Sequence, residues 1–264
     1  MIVIPEKIVL LKVPKAASTS LARLFWDRYE MDPFTKLRTG VATSVRYRLK
    51  LAETGTQLPV LNGNWFFNRT ADFGWHCSFA ELQCLFGNQL KDYHWIGSVR
   101  HPVARLFSAF SFQVAKGRLP MQLTKTDFAK FVELVVTNHP SLSMQQRIHT
   151  WPQSVWLPPN GWDKSLSLVR QEHFIEDMIA LVDRVPTFAA GLDSMADKKR
   201  FNHSFRGEPT RFFTRNLVET IEEYYRQDMA RLGYQSWFES RGSVPRARLL
   251  KLDGHSKARL TPTS

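Results

Sequence analysis

The amino-terminal part of the chain carries a short apolar run over residues 8–13, interrupted only by Lys12. Such a run is typical of a strand that is buried on both faces of a parallel sheet. Pro14 ends the run, and the Ser-Thr-Ser sequence at residues 18–20 offers side chains that cap helix starts. Apolar residues then recur at helical spacing up to Tyr29. The first thirty residues therefore predict a strand, a tight loop and a helix.

A second unit of the same kind lies in the middle of the chain. Residues 95–99 form another apolar run, Pro102 stands where a proline fits the first turn of a helix, and apolar residues then recur at helical spacing. Alternating units of this kind predict an α/β fold in which helices flank a parallel sheet. Ser78 and Glu81 have the spacing of a capping box, which predicts a helix start at Ser78 and places His76 in the loop before it.

The remaining pattern predicts the organisation of the rest of the chain. Helical spacing recurs in three further segments, at residues 125–137, 171–183 and 215–231. Residues 150–165 are rich in Trp, Pro and Gly and predict an ordered loop, whereas residues 33–72 show no period and predict a variable, basic insertion. We expect a single domain over residues 1–240 and a basic, flexible tail over residues 241–264.

Composition is ordinary for a soluble globular protein: of 264 residues, 43% are hydrophobic and 23% are charged. The two cysteines, Cys77 and Cys84, lie about two helical turns or ~10 Å apart, which predicts free thiols. No apolar run reaches the ~18 residues of a membrane span, and the first residues do not resemble a signal peptide. We therefore expect a soluble, cytoplasmic bacterial protein. A Golgi-lumenal location would apply only to a chain cut from a longer protein.

The net charge of +12 is unevenly distributed. Residues 33–52 hold five basic residues and no acid, and residues 241–264 hold six basic residues and one acid. Such blocks predict an anionic partner, namely a nucleotide, an acidic glycan, a nucleic acid or a membrane surface, unless they only solvate the surface.

The loop after the first strand has the features of an anion site. Because it follows a strand and opens a helix, its free N–H groups and the helix dipole favour negative charge. The candidate contacts are Lys12, Lys15, Ala16, Ala17, Ser18, Thr19 and Ser20. The glycine spacing of a Walker A loop is absent, which disfavours a P-loop kinase. A lysine beside an ordinary serine-capped helix stays open as the alternative.

The loop after the second strand offers a second anion site. Arg100 follows the strand at the end where ligands collect in open α/β sheets, and Ser108 lies two turns along the next helix. Arg100 can hold a phosphate through two parallel hydrogen bonds, and Ser108 can donate its hydroxyl to the same group. The alternative is an arginine that caps the sheet edge and a buried helical serine.

Together the two loops resemble the cofactor motifs of carbohydrate sulfotransferases. Residues 12–21, Lys-Val-Pro-Lys-Ala-Ala-Ser-Thr-Ser-Leu, resemble the loop that binds the 5′-phosphosulfate of PAPS (3′-phosphoadenosine 5′-phosphosulfate). Residues 99–110 resemble the 3′-phosphate motif Arg-Asp-Pro-x-x-Arg-x-x-Ser, with His101 in place of Asp. The similarity is to family 2, with its Golgi-type enzymes and bacterial relatives. It implies a three-layer α/β/α fold with a central parallel sheet, of the P-loop nucleoside-kinase type.

The resemblance also implies an activity and a set of roles. Further segments follow the order of the family, at residues 75–79, 172–177, 202–204, 225–228 and 233–234. The implied reaction is in-line transfer of a sulfuryl group from PAPS to a carbohydrate hydroxyl, without a metal. His76 would be the catalytic base, and Lys15 would stabilise the leaving phosphate. Ser204 would belong to a loop that covers the cofactor.

Contacts to the acceptor are less sharply defined. Trp156 stands in the Trp- and Pro-rich loop, where an exposed ring can stack on a sugar. Arg46 and Arg48 are candidates to line a cleft for an acidic polysaccharide, and Arg147 is a candidate acceptor contact after the second motif. The expected partner is a glycan acceptor, neutral or anionic, and not a nucleic acid. Peripheral membrane contact and the oligomeric state stay open.

The alternative interpretation is a non-catalytic protein that binds nucleic acid or sulfated glycan through its positive charge. Ligand choice separates the two. A sulfotransferase should prefer PAP (3′-phosphoadenosine 5′-phosphate) to ADP or ATP, because Arg100 and Ser108 would bind the 3′-phosphate. A polyanion-binding protein should show a steep salt dependence and no such preference.

Overall fold

The computed structural model describes residues 2–4, 8–21, 76, 78–80, 91–159, 166–186 and 209–240. These residues contain a four-stranded sheet in the order β1-β2-β3-β4. The strands are β1 (Ile2–Ile4), β2 (Ile8–Leu11), β3 (His94–Val99) and β4 (Leu166–Arg170). β1 is antiparallel to β2, and β2, β3 and β4 are parallel to one another. The predicted α/β fold with a central parallel sheet is confirmed.

The two central strands are buried on both faces, as their apolar runs predict. All four residues of β2 and five of the six residues of β3 are buried. The register pairs Leu11 with Gly97. Because parallel strands end at the same edge of a sheet, the chain leaves β2 and β3 toward the same side. The two predicted anion loops therefore begin next to each other.

Seven helices have both ends within the described residues. They are α1 (Pro102–Ala115), α2 (Lys125–Val136), α3 (Met144–Thr150), α4 (Phe174–Arg184), α5 (Arg215–Tyr224), α6 (Arg226–Leu232) and α7 (Trp237–Ser240). A further helix begins at Ser18, and residues 79–80 are helical. Side chains cap several starts, and the Ser143 hydroxyl and the Gln146 side chain form a capping box at α3.

A second core of aromatic side chains joins the helices. Phe107 of α1 packs edge-on against Phe128 of α2, with 5.3 Å between ring centroids, and lies 4.7 Å from the Phe212 ring. Val218 and Ile221 of α5 complete this cluster. Aromatic pairs of this geometry contribute about 0.5–1.5 kcal/mol beyond their burial. This packing fixes α1, and with it the end of the second anion loop.

Some boundaries differ from the sequence-based expectation. β4 and α3 were not predicted, and the helix expected at 171–183 begins at Phe174 after the 3₁₀ turn Gln171–His173. The helix expected at 215–231 is divided at Tyr225, whose hydroxyl donates to the Thr150 carbonyl inside the protein. The insertion, the tail and both cysteines lie outside the described residues.

Candidate active site

The loop between β2 and the helix at Ser18 has an unusual backbone shape. Lys15 and Ala17 have φ angles of 63° and 60°. This left-handed region costs residues other than glycine about 1–2 kcal/mol, so the surrounding structure must enforce it. Among the described residues, the N–H groups of residues 15–19 have no hydrogen-bond acceptor. Left-handed residues in such a turn direct successive N–H groups to one side and form a concave site for an anion.

Two lysines bring positive charge to this loop. The Lys15 ammonium lies 3.9 Å from the centre of the Phe112 ring. Burial, and after it the charge of Arg100, lowers the pKa of Lys15 to about 7. Burial lowers the pKa of Lys12 to about 7 as well. Within the described part of the chain, no carboxylate forms an ion pair with Lys15 or Arg100.

His76 is fixed against the same loop. Its Nδ1 lies 2.7 Å from the Lys12 carbonyl oxygen. A carbonyl only accepts, so Nδ1 carries the proton and Nε2 keeps its lone pair. Burial lowers the pKa of His76 well below its usual value, and the charges of Lys12 and His149 act in the same direction. The ring is therefore neutral near pH 7, with Nε2 as its acceptor.

Arg100 is held by its backbone and leaves its side chain available. The Gln153 side chain accepts from the Arg100 N–H at 2.9 Å and donates to the Arg100 carbonyl at 2.8 Å. Arg100 Nε is buried, and no hydrogen-bond partner for it occurs among the described residues. Burial lowers the pKa of Arg100, while Glu172 and Tyr234 act in the opposite direction.

Asp228 in turn fixes Gln153. The 3₁₀ turn Gln153–Trp156 begins with two N–H groups that need acceptors. Asp228 Oδ2 accepts from Gln153 N at 2.5 Å and Oδ1 accepts from Ser154 N at 2.9 Å. Gln153 and Asp228 are both inaccessible to solvent. A buried chain of hydrogen bonds therefore runs from α6 to the end of β3.

Arg105 ties the first loop to the segment after α3. Its Nε donates to the Pro14 carbonyl at 3.2 Å, and its Nη2 donates to the Trp151 carbonyl. The side chain is fully buried and lies over the Tyr225 ring, 5.8 Å from its centre. A guanidinium is suited to this task because it carries several donors in a rigid plane.

Comparison with known proteins places this chain in a family. The family model described as "Sulfotransferase family" matches residues 2–235. The chain belongs to the sulfotransferase family. It is a sulfotransferase enzyme, which confirms the resemblance that the two loops predict. Neither the search of curated proteins nor the search of solved structures found a match.

The sulfotransferase has His101 where the family motif usually has aspartate. The structure shows what hydrogen bonds this histidine forms. His101 is the N-cap of α1, and its Nδ1 accepts from the Val103 N–H at 3.3 Å. An aspartate caps a helix in the same way, so histidine preserves the local hydrogen bond. The opposite ring nitrogen, Nε2, donates to the Gln235 carbonyl at 3.0 Å.

Glu172 joins the second loop to the carboxyl-terminal part of the sulfotransferase. One carboxylate oxygen accepts from the His101 N–H at 2.8 Å, and the other accepts from the Tyr234 hydroxyl at 3.2 Å. Nearby, Asp177 pairs with Arg170, accepting both from its backbone N–H and from its guanidinium. Acidic residues of the segment 172–177 therefore hold backbone that surrounds the site.

Two expected acceptor contacts have other roles in the structure. Trp156 is only 2% exposed and stacks on Trp151 at 6.1 Å, so its ring has no face available for a sugar. Arg147 donates to the Leu142 and His139 carbonyls at 2.9 Å each and to the Asn138 side chain. Its guanidinium closes the turn between α2 and α3. Both residues were singled out from composition and position, which do not report burial.

The structure describes Ser108 but not the other three predicted residues. Ser108 is half-buried on α1, two turns after Arg100. Arg46, Arg48 and Ser204 lie outside the described residues.

In the described part of the sulfotransferase, no group of three or more His, Cys, Asp or Glu side chains could hold a metal ion. No helix in that part is long and apolar enough to span a membrane.

Sequence analysis missed several residues that shape the site. His149 lies in the last turn of α3 with its ring centroid 5.7 Å from that of His76. Gln113 of α1 contacts it, with 2.7 Å between Gln113 Nε2 and His149 Nδ1. Gln153 and Arg105 were also missed as site residues. These contacts join residues 36 to 91 positions apart, and no local pattern in the sequence carries them.

Proposed function

We propose that this sulfotransferase uses PAPS as its donor and transfers the sulfuryl group to a carbohydrate hydroxyl, with His76 as the general base. The observation that carries the proposal is the 2.7 Å hydrogen bond between His76 Nδ1 and the Lys12 carbonyl. It joins an imidazole, whose Nε2 has no hydrogen-bond partner among the described residues, to the loop that carries Lys12 and Lys15. A base and an anion site are the two components that sulfuryl transfer requires.

The residues present fit the charges of PAPS. Arg100 Nε is a buried donor without a partner in the described residues, and Lys15 has no carboxylate beside it. We assign Arg100 and Ser108 to the 3′-phosphate. Seven residues of the first loop are assigned to the phosphosulfate: Lys12, Lys15, Ala16, Ala17, Ser18, Thr19 and Ser20. When bound, PAPS supplies an activated sulfuryl group on its 5′-phosphate.

His76 moves the proton in this proposal. An acceptor hydroxyl is a weak nucleophile near neutral pH, and His76 Nε2 accepts its proton as the oxygen attacks sulfur. The hydrogen bond from Nδ1 to the Lys12 carbonyl keeps the ring oriented before and after that transfer. Lys15 stabilises the negative charge that develops on the leaving phosphate.

The carbohydrate acceptor rests on the similarity of both loops to the carbohydrate branch. Arg46 and Arg48 remain the proposed contacts for an acidic polysaccharide, and Ser204 remains a proposed part of the loop that covers the donor. A cytoplasmic location and the division into a domain at 1–240 and a tail also remain predictions.

The donor is tested by calorimetric titration of PAP and ADP into wild type and Arg100→Ala. Wild type should bind PAP at least about tenfold more tightly than ADP, and Arg100→Ala should weaken PAP binding by about 10- to 100-fold, the value of a charge-assisted hydrogen bond. Arg226→Ala is the control, because this arginine is exposed and pairs only with Glu223 among the described residues. Equal affinity for PAP and ADP would exclude PAPS and favour a polyanion site.

The base is tested by His76→Ala. Removal of a general base should lower kcat by about 10²- to 10⁴-fold, whereas the affinity for PAP should change less than about threefold. Turnover is measured as conversion of PAPS to PAP with the polysaccharide that wild type sulfates best, chosen from a panel of unsulfated neutral and uronic-acid-containing polymers. His139→Ala, at an exposed histidine, is the control. Wild-type kcat in His76→Ala would rule out this base.

A further inference from the structure

We infer that His149 is a second functional imidazole of the transfer site, which presents an Nε2–H donor to the sulfuryl group beside the acceptor nitrogen of His76. The inference rests on the proposed function. The two rings stand almost perpendicular, with an interplanar angle of 87° and 5.7 Å between their centroids. His149 is 8% exposed and also lies edge-on to Phe112, with 5.4 Å between the ring centroids.

The partner of Nδ1 determines which nitrogen of His149 carries the proton. Gln113 Nε2 lies 2.7 Å from His149 Nδ1, while Gln113 Oε1 is buried without a partner in the described residues. With the amide reversed, its two N–H groups would lose that acceptor, and orphaned N–H groups are rarer in proteins than orphaned carbonyls. Gln113 therefore donates, His149 Nδ1 accepts, and the proton lies on Nε2.

His149 Nε2 is also the ring nitrogen that lacks a hydrogen-bond partner in the described part of the chain. No group of the described residues forms a hydrogen bond with it. Since His76 presents a bare Nε2 and His149 presents an N–H, the two neighbouring rings have opposite polarity. One imidazole is prepared to take a proton and the other to donate a hydrogen bond.

The charges around His149 keep it in this form. Lys15 from the first loop, Arg105 from α1 and Arg118 from the following turn face it, together with the neutral ring of His76. Burial and then these cations lower the pKa of His149 to about 3. A neutral ring near pH 7 can donate through Nε2 but gains no second proton.

The two histidines then divide the reaction between them. The acceptor oxygen forms a bond to sulfur, the sulfur–oxygen bond to the phosphate breaks, and its electron pair leaves with the phosphate. The acceptor's proton goes to His76 Nε2. His149 donates a hydrogen bond to a sulfuryl oxygen and transfers no proton, so the balance of atoms is unchanged. In this position the hydrogen bond orients the sulfuryl group for in-line attack, and correct placement of the reacting atoms raises kcat.

Two variants separate the donor role from a structural one. In His149→Gln the amide nitrogen reaches the position of Nε2 and can still donate, whereas in His149→Asn the shorter side chain reaches only the position of Nδ1 and can still contact Gln113. We expect His149→Asn to lower kcat by about 10²-fold and His149→Gln by less than about tenfold. The Kd for PAP should stay within about threefold of wild type in both.

The protonation of the His149 and His76 rings can be measured without an activity assay. Nitrogen-15 NMR of histidine-labelled protein should show the His149 proton on Nε2 between pH 5 and 8, and the His76 proton on Nδ1. A His149 proton on Nδ1, or equal loss of kcat in both variants, would overturn the inference. His139→Asn, at an exposed histidine, is the matched control and should retain wild-type kcat.

The two proposals fail in different ways. If PAPS is not the donor, wild type does not select PAP over ADP, whatever the state of His149. If only the present inference is wrong, wild type selects PAP, and His149→Asn keeps wild-type kcat or shows the same loss as His149→Gln.

Discussion

The two lysines of the first loop are largely buried. Lys12 is 5% exposed, Lys15 lies on the Phe112 ring, and the charge of Arg100 acts on Lys15. Because burial disfavours the charged ammonium, the pKa of both lysines falls to about 7. Each amine is therefore only partly protonated at neutral pH until an anion arrives.

Anion binding should consequently take up protons. At pH 8 both lysines are mostly neutral in the free protein, and a bound phosphate favours their charged form, so PAP binding should absorb about one to two protons. Calorimetry at pH 8 in two buffers of different ionisation enthalpy measures this number. Lys15→Met should reduce it by about one. PAP affinity should fall as the pH rises above 7, and binding without proton uptake would contradict the assigned lysines.

At the level of elements, the site depends on connections between parts of the fold that are distant in sequence. Asp228 at the start of α6 holds the 3₁₀ turn Gln153–Trp156, and the Gln153 side chain holds Arg100 at the end of β3. The hydrogen bonds span 74 to 75 residues and 53 residues. The orientation of Arg100 is therefore decided by a helix near the carboxyl terminus.

Asp228→Asn should damage both stability and binding. Asparagine keeps one acceptor oxygen but turns an NH₂ group toward a backbone N–H, which should lower the free energy of unfolding by about 1–3 kcal/mol. Loss of the Gln153 contact should also weaken PAP binding. Urea unfolding and PAP titration measure the two effects. Asp127→Asn is the control, since Asp127 also accepts from a backbone N–H but lies on α2. Unchanged PAP affinity in Asp228→Asn would contradict the inference that Asp228 orients Arg100 through Gln153.

The same elements show what the sequence can predict. β2, β3, α1 and α2 follow from local apolar patterns. Lys15 and Arg100 were proposed because their loops follow β2 and β3, whereas His76 was proposed from its resemblance to a family segment between the two cofactor motifs. β4 was missed because its five residues, Leu-Ser-Leu-Val-Arg, carry no distinct period. The break after α5 was missed because Tyr225 reaches Thr150 and Arg105, and a contact across the fold overrides helix propensity there.

At the scale of the whole molecule, buried neutral histidines make folding sensitive to acid. Burial lowers the pKa of four histidines, namely His76, His94, His101 and His149. Their pKa in the unfolded chain is about 6.5, so below that pH the unfolded chain binds more protons than the folded protein. The stability from these groups is complete above pH 6.5 and is lost as the pH falls.

The acid sensitivity can be assigned to individual residues by unfolding experiments. The free energy of unfolding in urea, measured between pH 6.5 and 5, should fall with decreasing pH with a slope that corresponds to several protons. His149→Asn should reduce that slope by about one proton, because its folded pKa lies near 3. His139→Asn should leave the slope unchanged. A pH-independent stability in this range would show that the buried rings are charged in the folded protein.

The left-handed backbone at Lys15 and Ala17 has a consequence for the speed of ligand capture. Residues other than glycine hold this shape only where the finished fold imposes it, so the loop is arranged before any ligand arrives. No ordering step then has to follow the first encounter. We expect the association rate for a nucleotide anion to be set by diffusion and long-range attraction, and to slow as added salt screens the cations.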